Sequence, residues 1–403
     1  MTWYFYGDLR TGVISGDLDV LSGPWDDRLN TSESISVSVD LRNRDIQSLN
    51  LHDTAKSCKT FLGVAEGSTI MAAGPVWSRS YSRGAATLSF SAKGMHSYFD
   101  HRHILPIAAL TAATTSFAIT DPFDPKKTIP NPALATILSS LSLGTIAKRL
   151  VQQARLWTGG NLPIVFQADE AGINQRRYDG LEFKSIGEAL NQLSEVENGP
   201  DINFQPRFTS GGLGVEWLFQ TGTTAQPFIS SSSTHIWDVT AAESSIAELT
   251  IDEDGSKIGS LAWATGGRVS DEVLIARAYA SLLVDSGYPL YEILDTSHST
   301  VNLQNTLNGY AVEASTIGKR PIETWGFKVE ARPKDIYGNA AGPQVGQFSV
   351  GDFADLIVSK FDPVLQKGDP FIPEGKYRHR IVGLSGDEQG TRIGVQCAPD
   401  QVA

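Results

Sequence analysis

Hydrophobic and polar positions alternate most cleanly at Ser34-Ile35-Ser36-Val37-Ser38-Val39-Asp40-Leu41. A period of two puts every second side chain on one face of a strand, so this segment predicts one buried and one wet face. Residues 1–118 read as mostly strand, and Val76 to Tyr81, Ser82-Arg83-Gly84 and Ala85 to Phe90 together form a hairpin signature. The two Asp-Pro pairs in Thr120-Asp121-Pro122-Phe123-Asp124-Pro125 hold the preceding residues out of the helical region and suggest a boundary. Beyond it the period becomes helical. Thr145 to Trp157 places Ile146, Leu150, Ala154 and Trp157 on one stripe, with Lys148, Arg149 and Gln152 on the surface. A second helix starts at Ser185 with Glu188 as capping-box partner, buries Ile186, Leu190 and Leu193, and stops before Asn198-Gly199-Pro200.

Strand patterns return at Ile202 to Gln205, Gly214 to Phe219 and Ala247 to Ile251, with Asp252-Glu253-Asp254-Gly255 read as the following hairpin turn. Between about 270 and 318 the pattern again reads as helical. Ser270 offers a start, Val273 to Leu283 an apolar stripe, and a later helix runs from near Ser299 through Leu303, Leu307 and Ala311. Strands close the chain at Trp325 to Ala331, Asp352 to Val358, Tyr377 to Leu384 and Thr391 to Cys397, with Ser385 to Gly390 as a loop. The fold class is α+β, mainly β: two β regions, each interrupted or followed by a helical insertion.

Composition narrows the function more than the fold. With 33 Lys and Arg against 45 Asp and Glu, the formal charge is −12. That balance argues against nucleic-acid binding, which draws on Lys and Arg displacing counterions from phosphates. No run approaches the roughly 18 apolar residues of a membrane helix, and the N-terminus reads as a strand, not a signal, so stable membrane insertion is not expected. Cys58 and Cys397 are the only cysteines, which excludes a disulfide framework and suits synthesis in a reducing cytoplasm.

The search for chemistry ends without a catalytic, cofactor-binding or metal residue. His96, His101 and His103 cluster in sequence, but a cation sits between the last two and no Cys or Glu completes a ligand set. Asp252 to Gly255 fails the spacing of a calcium loop. Gly383-Leu384-Ser385-Gly386-Asp387 resembles a nucleophile elbow only until its second glycine, one residue early, and reads as a turn. No phosphate-binding glycine motif opens a helix. The chain is expected not to be an enzyme. Trp77, Trp217 and Trp325 are candidates for sugar platforms only if exposed, since tryptophans in strand patterns mostly serve cores.

Several patches, in order, resemble minor tail proteins of actinobacteriophages with long non-contractile tails. They are Thr2 to Thr11 with Gly12, Arg28-Leu29-Asn30, Phe183 to Glu188, Glu195 to Phe204, Arg320 to Trp325, Val350-Gly351-Asp352, Gly375 to Arg378 and Arg380 to Asp387. Residues 104–135 depart from the pattern. The resemblance implies a tail hub similar to the baseplate hubs of contractile phages, a homotrimer presenting two tube-like antiparallel β-barrels per subunit. It divides the chain into 1–118 (first barrel), 119–199 (α/β insertion), 200–262 with 320–403 (second barrel and C-terminal strands) and 263–319 (helical insertion). The implied place is the virion, at the distal end of the tail. The implied partners are the distal tail protein ring or tail tube, the tape-measure protein, tip or fibre proteins, and DNA only in transit through a channel. A negative channel wall would repel phosphates. The alternatives are a receptor-binding protein for cell-wall carbohydrate and, less favoured, a tail-associated peptidoglycan hydrolase. Alternation alone names no interface residue.

Overall fold

The computed structural model describes residues 2–399 apart from 197–198, 230–232, 242–243, 270–271, 297, 299–300, 302, 336 and 363–364. The N-terminal region supplies β1 (Thr2–Asp8), β2 (Ile14–Leu18), β3 (Trp25–Arg28), β4 (Ser34–Asp40), β5 (Thr60–Glu66), β6 (Thr69–Ser82) and β7 (Thr87–Lys93), with α1 (Arg44–Ser48) and α2 (Leu51–Thr54) before β5. In β4, Ile35, Val37 and Val39 are buried and the intervening serines face outward, as the alternation requires. The expected hairpin is β6–β7. β6 is long because its first half pairs with β5 and its second half with β7. At the bend a Cβ on Gly74 would lie 2.0 Å from the Lys93 carbonyl oxygen, so only glycine fits. Residues 94–117, expected as strand, instead form α3 (His96–Phe99) and two short 3-10 turns. Met95 and Phe99, four apart, anchor this helical turn in the core.

The middle of the chain holds β8 (Ala118–Thr120), β9 (Thr128–Pro130), β10 (Thr136–Leu141), α4 (Leu143–Arg155), β11 (Ile164–Phe166), β12 (Ala171–Tyr178), α5 (Ile186–Ser194), β13 (Ile202–Phe208) and β14 (Val215–Thr221). The Asp-Pro pairs form the tip of the β8–β9 hairpin, where Asp121 and Asp124 accept from the backbone N–H of Phe123 and Lys126. Ser142 caps α4 and Ser185 caps α5 by accepting from the N–H three residues on. One surface assignment on α4 is corrected: Lys148 is buried, donating to the Gln167 carbonyl at 2.8 Å and pairing with Asp169. Its long stem adds to the apolar stripe while the ammonium finds partners at the far end. The expected capping box at α5 is half formed, because Glu188 takes the Lys184 ammonium at 3.0 Å.

The remainder comprises β15 (Thr234–Asp238), β16 (Ile246–Asp254), β17 (Leu261–Val269), β18 (Glu272–Tyr279), α6 (Leu282–Asp285), β19 (Glu292–Asp295), α7 (Gln304–Ile317), β20 (Ile322–Glu330), β21 (Phe353–Val358), β22 (Gly375–Gly386) and β23 (Arg392–Pro399). The helix expected over Val273 to Leu283 is corrected: Val273 to Tyr279 belong to strand β18, and only Leu282–Asp285 are helical. An almost continuous apolar run satisfies both periods, and here its two faces alternate between a helix and the outside. Ser270 lies outside the described residues. The segment 263–319 is thus not simply helical but a three-stranded sheet, β18–β17–β19, backed by α7. Asp252 to Asp254 end β16 and do not form a turn, since β16 pairs with β20. Gly383 to Gly386 likewise finish β22.

The chain is mainly β, dominated by a 13-stranded sheet. Its path runs β16-β20-β23-β22-β3-β4-β7-β6-β5-β1-β2, with β21 and β15 branching from β22; among the described residues it ends at β16 and β2, where Ile14 at the start of β2 donates to the Leu213 carbonyl. Strands from both ends of the sequence join where β22 pairs with β3, from Gly383 opposite Arg28 to Gly386 opposite Trp25. One large core, with Tyr4, Val37, Trp237, Trp325 and Ile381, lies on one side of this sheet. A second core packs Phe5, Phe61 and Met95 on its other side against α4, α5 and the β11–β14–β13 sheet. β13 and β14, read from sequence with the second β region, therefore form a sheet with β11, in which β14 is central and pairs with both. A third, small core holds α7 against β17 and β18.

Candidate functional site

Three of the patches that carry the sequence resemblance converge at the join between β22 and β3. Asn30, in a left-handed conformation at φ 61° after β3, donates to Asp201 at 2.8 Å and accepts from the Ile202 N–H at 2.8 Å. Asp201 pairs with Arg380 of β22 and accepts from the Ile229 N–H. The Arg380 guanidinium also donates to the Ile229 carbonyl and lies 5.1 Å from the Phe228 ring centroid. Both charged side chains are buried, so each supplies what the other lost on leaving water. The knot fixes three distant segments and leaves no reactive group exposed. Its task is positional.

Close by, two carboxyls lie inside the join. Asp27 shares the inward face of β3 with Trp25, and its Oδ1 is sealed from solvent without a hydrogen-bond partner. Burial first, then repulsion from Asp26, pushes its carboxyl up to about 7. Glu33 is buried too and accepts from the Ala73 N–H at 3.0 Å; burial and the neighbouring Asp27 push it well above the usual carboxylate range.

An uncovered apolar feature among the described residues is the outer face of β18–β17–β19. Leu274, Ala276 and Ala278 face α7, so Val273, Ile275 and Tyr279 face away from it. The register sets Tyr279 beside Leu261, and Trp263 between Arg277 and Leu294. Ile275, Tyr279 and Leu294 are 58%, 59% and 67% exposed. The adjoining α6 adds exposed Leu282, and the loop after it Tyr288, Leu290 and Tyr291. A sheet face this apolar, rimmed by Arg277 and Glu292, has the character of a protein-docking surface. Sequence reasoning missed it by reading Val273 to Leu283 as a helix. Its signal was the β-branched run with apolar residues on both faces.

The other candidates separate. His101 packs on Trp77 in a tilted arrangement with ring centroids 4.5 Å apart, His103 bonds the Phe183 carbonyl at 2.6 Å, and His96 is buried against Phe204. Among the described residues no group of three His, Cys, Asp or Glu is placed to hold a metal ion. Trp217 and Trp325 are buried, which removes them as sugar platforms, whereas Trp77 remains partly exposed.

No protein-family model matches the chain. No curated protein sequence matches it either. Among solved structures it is similar to the tail protein from Neisseria meningitidis MC58, at 12% identity over 100% of this chain and 97% of that one, with a TM-score of 0.54. It is similar also to the 43 kDa tail protein of prophage MuSo2 from Shewanella oneidensis, at 10% identity over 98% of each chain, with a TM-score of 0.53. The fold is that of phage tail proteins.

Proposed function

We propose that this chain is a structural virion protein, the hub at the distal end of a phage tail tube, acting as a homotrimer without catalytic residues. The observation that carries the reading is the uncovered apolar face of β18–β17–β19 on a chain whose whole length adopts a tail-protein fold. Such a face is stable in water only at a cost that burial against another subunit removes. The open ends of the 13-stranded sheet add support, because unpaired edge strands invite pairing across subunits. In this reading the two tube-like barrels close only within the ring, and three subunits with two such units each match a hexameric tube. The distal ring or tube, the tape-measure protein and tip or fibre proteins are its neighbours.

The division into 1–118, 119–199, 200–262 with 320–403, and 263–319 is kept as a working map, with β13 and β14 grouped by packing with the insertion before them. The charge of −12 suits a conduit that DNA crosses without sticking, provided acidic side chains line it. A conduit lined by Lys and Arg would contradict that part. Light scattering on the purified chain tests the oligomer: three times the 43.5 kDa subunit mass is expected. A monomer at every concentration and in the presence of its tail partners would overturn the homotrimer.

A further inference from the structure

A cleft of about 400 Å³ opens between β4, β7, α3 and α5. This volume lies within the range of small-molecule sites, about 300–1,000 Å³. Its walls are unusually polar for such a site. Five serine and threonine hydroxyls line it, and among the described residues those of Thr31, Ser32, Ser34 and Ser91 make no hydrogen bond within the chain as donors. Lys93 and Asp100 also reach it, among the described residues without an ion-pair partner, and Asn191 contributes an amide from the exposed side of α5 that also bonds His96. One wall is aromatic: Trp77 is held by its indole N–H on Ser97 at 2.8 Å and by the His101 ring packed against it at a tilt of 37°.

The charges nearly cancel. Burial pushes the Glu33 carboxyl well above the usual carboxylate range and lowers His96, while Lys93 and Asp100 bring one positive and one negative group to the lining. A site with no excess charge selects neither an anion nor a cation. Many short hydroxyls, one amide and one flat aromatic wall match a ligand with many hydroxyls and an apolar ring face.

We infer that this cleft binds a neutral saccharide, with Trp77 as the platform and Asn191, Lys93 and Asp100 as hydrogen-bonding groups. Roughly one or two sugar rings fit the volume. Water satisfies the polar wall in the free protein, and sugar hydroxyls replace it. The inference does not depend on the hub reading, since the cleft lies within one subunit.

The test is saturation-transfer NMR on the full chain with two neutral probes, N,N′-diacetylchitobiose and maltose, and glycerol phosphate as the anionic comparison. Transfer to at least one sugar is expected, with binding about tenfold weaker in Trp77→Ala and in Asn191→Ala. Asn191 is exposed, but its amide also bonds the buried His96, so Asn191→Ala is read beside the urea midpoint and beside Lys93→Ala, at an exposed residue of the same cleft, which decides the matter if Trp77→Ala does not. No transfer to either sugar, transfer unchanged in Asn191→Ala, or displacement of the sugar by glycerol phosphate at lower concentration would each overturn the inference.

Discussion

At the scale of single residues, the join between the two ends of the chain rests on side chains that were visible in sequence only as scattered patches. Asp201 carries most of it. Replacing it by Ala leaves the Arg380 guanidinium buried without its counter-ion and the Asn30 amide and Ile229 N–H without an acceptor. A loss of about 3–5 kcal/mol is expected, read as a lower urea midpoint. The Asp201→Ala/Arg380→Ala double variant should lose less than the sum of the singles, because the second change removes the stranded charge. Asp27 works in the opposite sense. Its folded pKa of about 7 lies above the ordinary 3.8, so the folded state holds a proton that the unfolded state releases. Stability from this group is therefore full at low pH and declines as pH rises from about 4 through about 7. Asp27→Asn should flatten that decline. The unfolding free energies of the two proteins from urea titration should lie closest near pH 3 and separate by pH 8, by at most about 4 kcal/mol. Equal separation at both pH values would contradict a buried, protonated carboxyl.

At the scale of elements, caps and faces decide the outcome. Ser185→Ala removes the acceptor for the Glu188 N–H and should cost about 1 kcal/mol by thermal or urea unfolding, since the Glu188 carboxylate is engaged by Lys184 and gives no second cap. On the uncovered sheet, Ile275→Asp with Leu294→Asp should change the unfolding midpoint little, because both side chains already lie in water, yet should abolish the trimer in light scattering. A folded double variant that still assembles would clear this face of any role. These elements also show which signals sequence carries. Strict alternation in β4 and a single stripe with its cap in α5 were legible because only one period fits them. Val273 to Tyr279 was not, since apolar residues on both faces erase the difference between strand and helix. Met95 and Phe99 were lost within a strand-like region because four residues supply only one helical turn of evidence.

At the scale of the molecule, sequence order hides which strands meet. Two β regions were legible, but not that β3 and β22 fuse them into one sheet of 13 strands, because strand pairing at a separation of more than 350 residues leaves no local pattern. The same limit hid the cleft beside Trp77 and the grouping of β13 and β14 with β11. What the 13-stranded sheet does not do alone, among the described residues, is close: its path stops at β16 and β2, and the outer face of the separate β18–β17–β19 sheet is exposed. Both features are resolved if copies of the chain form a ring. The most direct measurement is cryo-EM of the tail tip of the particle that contains this protein, averaged with threefold symmetry. The account predicts a ring at the end of the tube that accepts three 43.5 kDa subunits, with the outer face of β18–β17–β19 buried against another tail subunit. A chain found at the periphery of the tip, absent from the particle, or placed with that face open to solvent would contradict it.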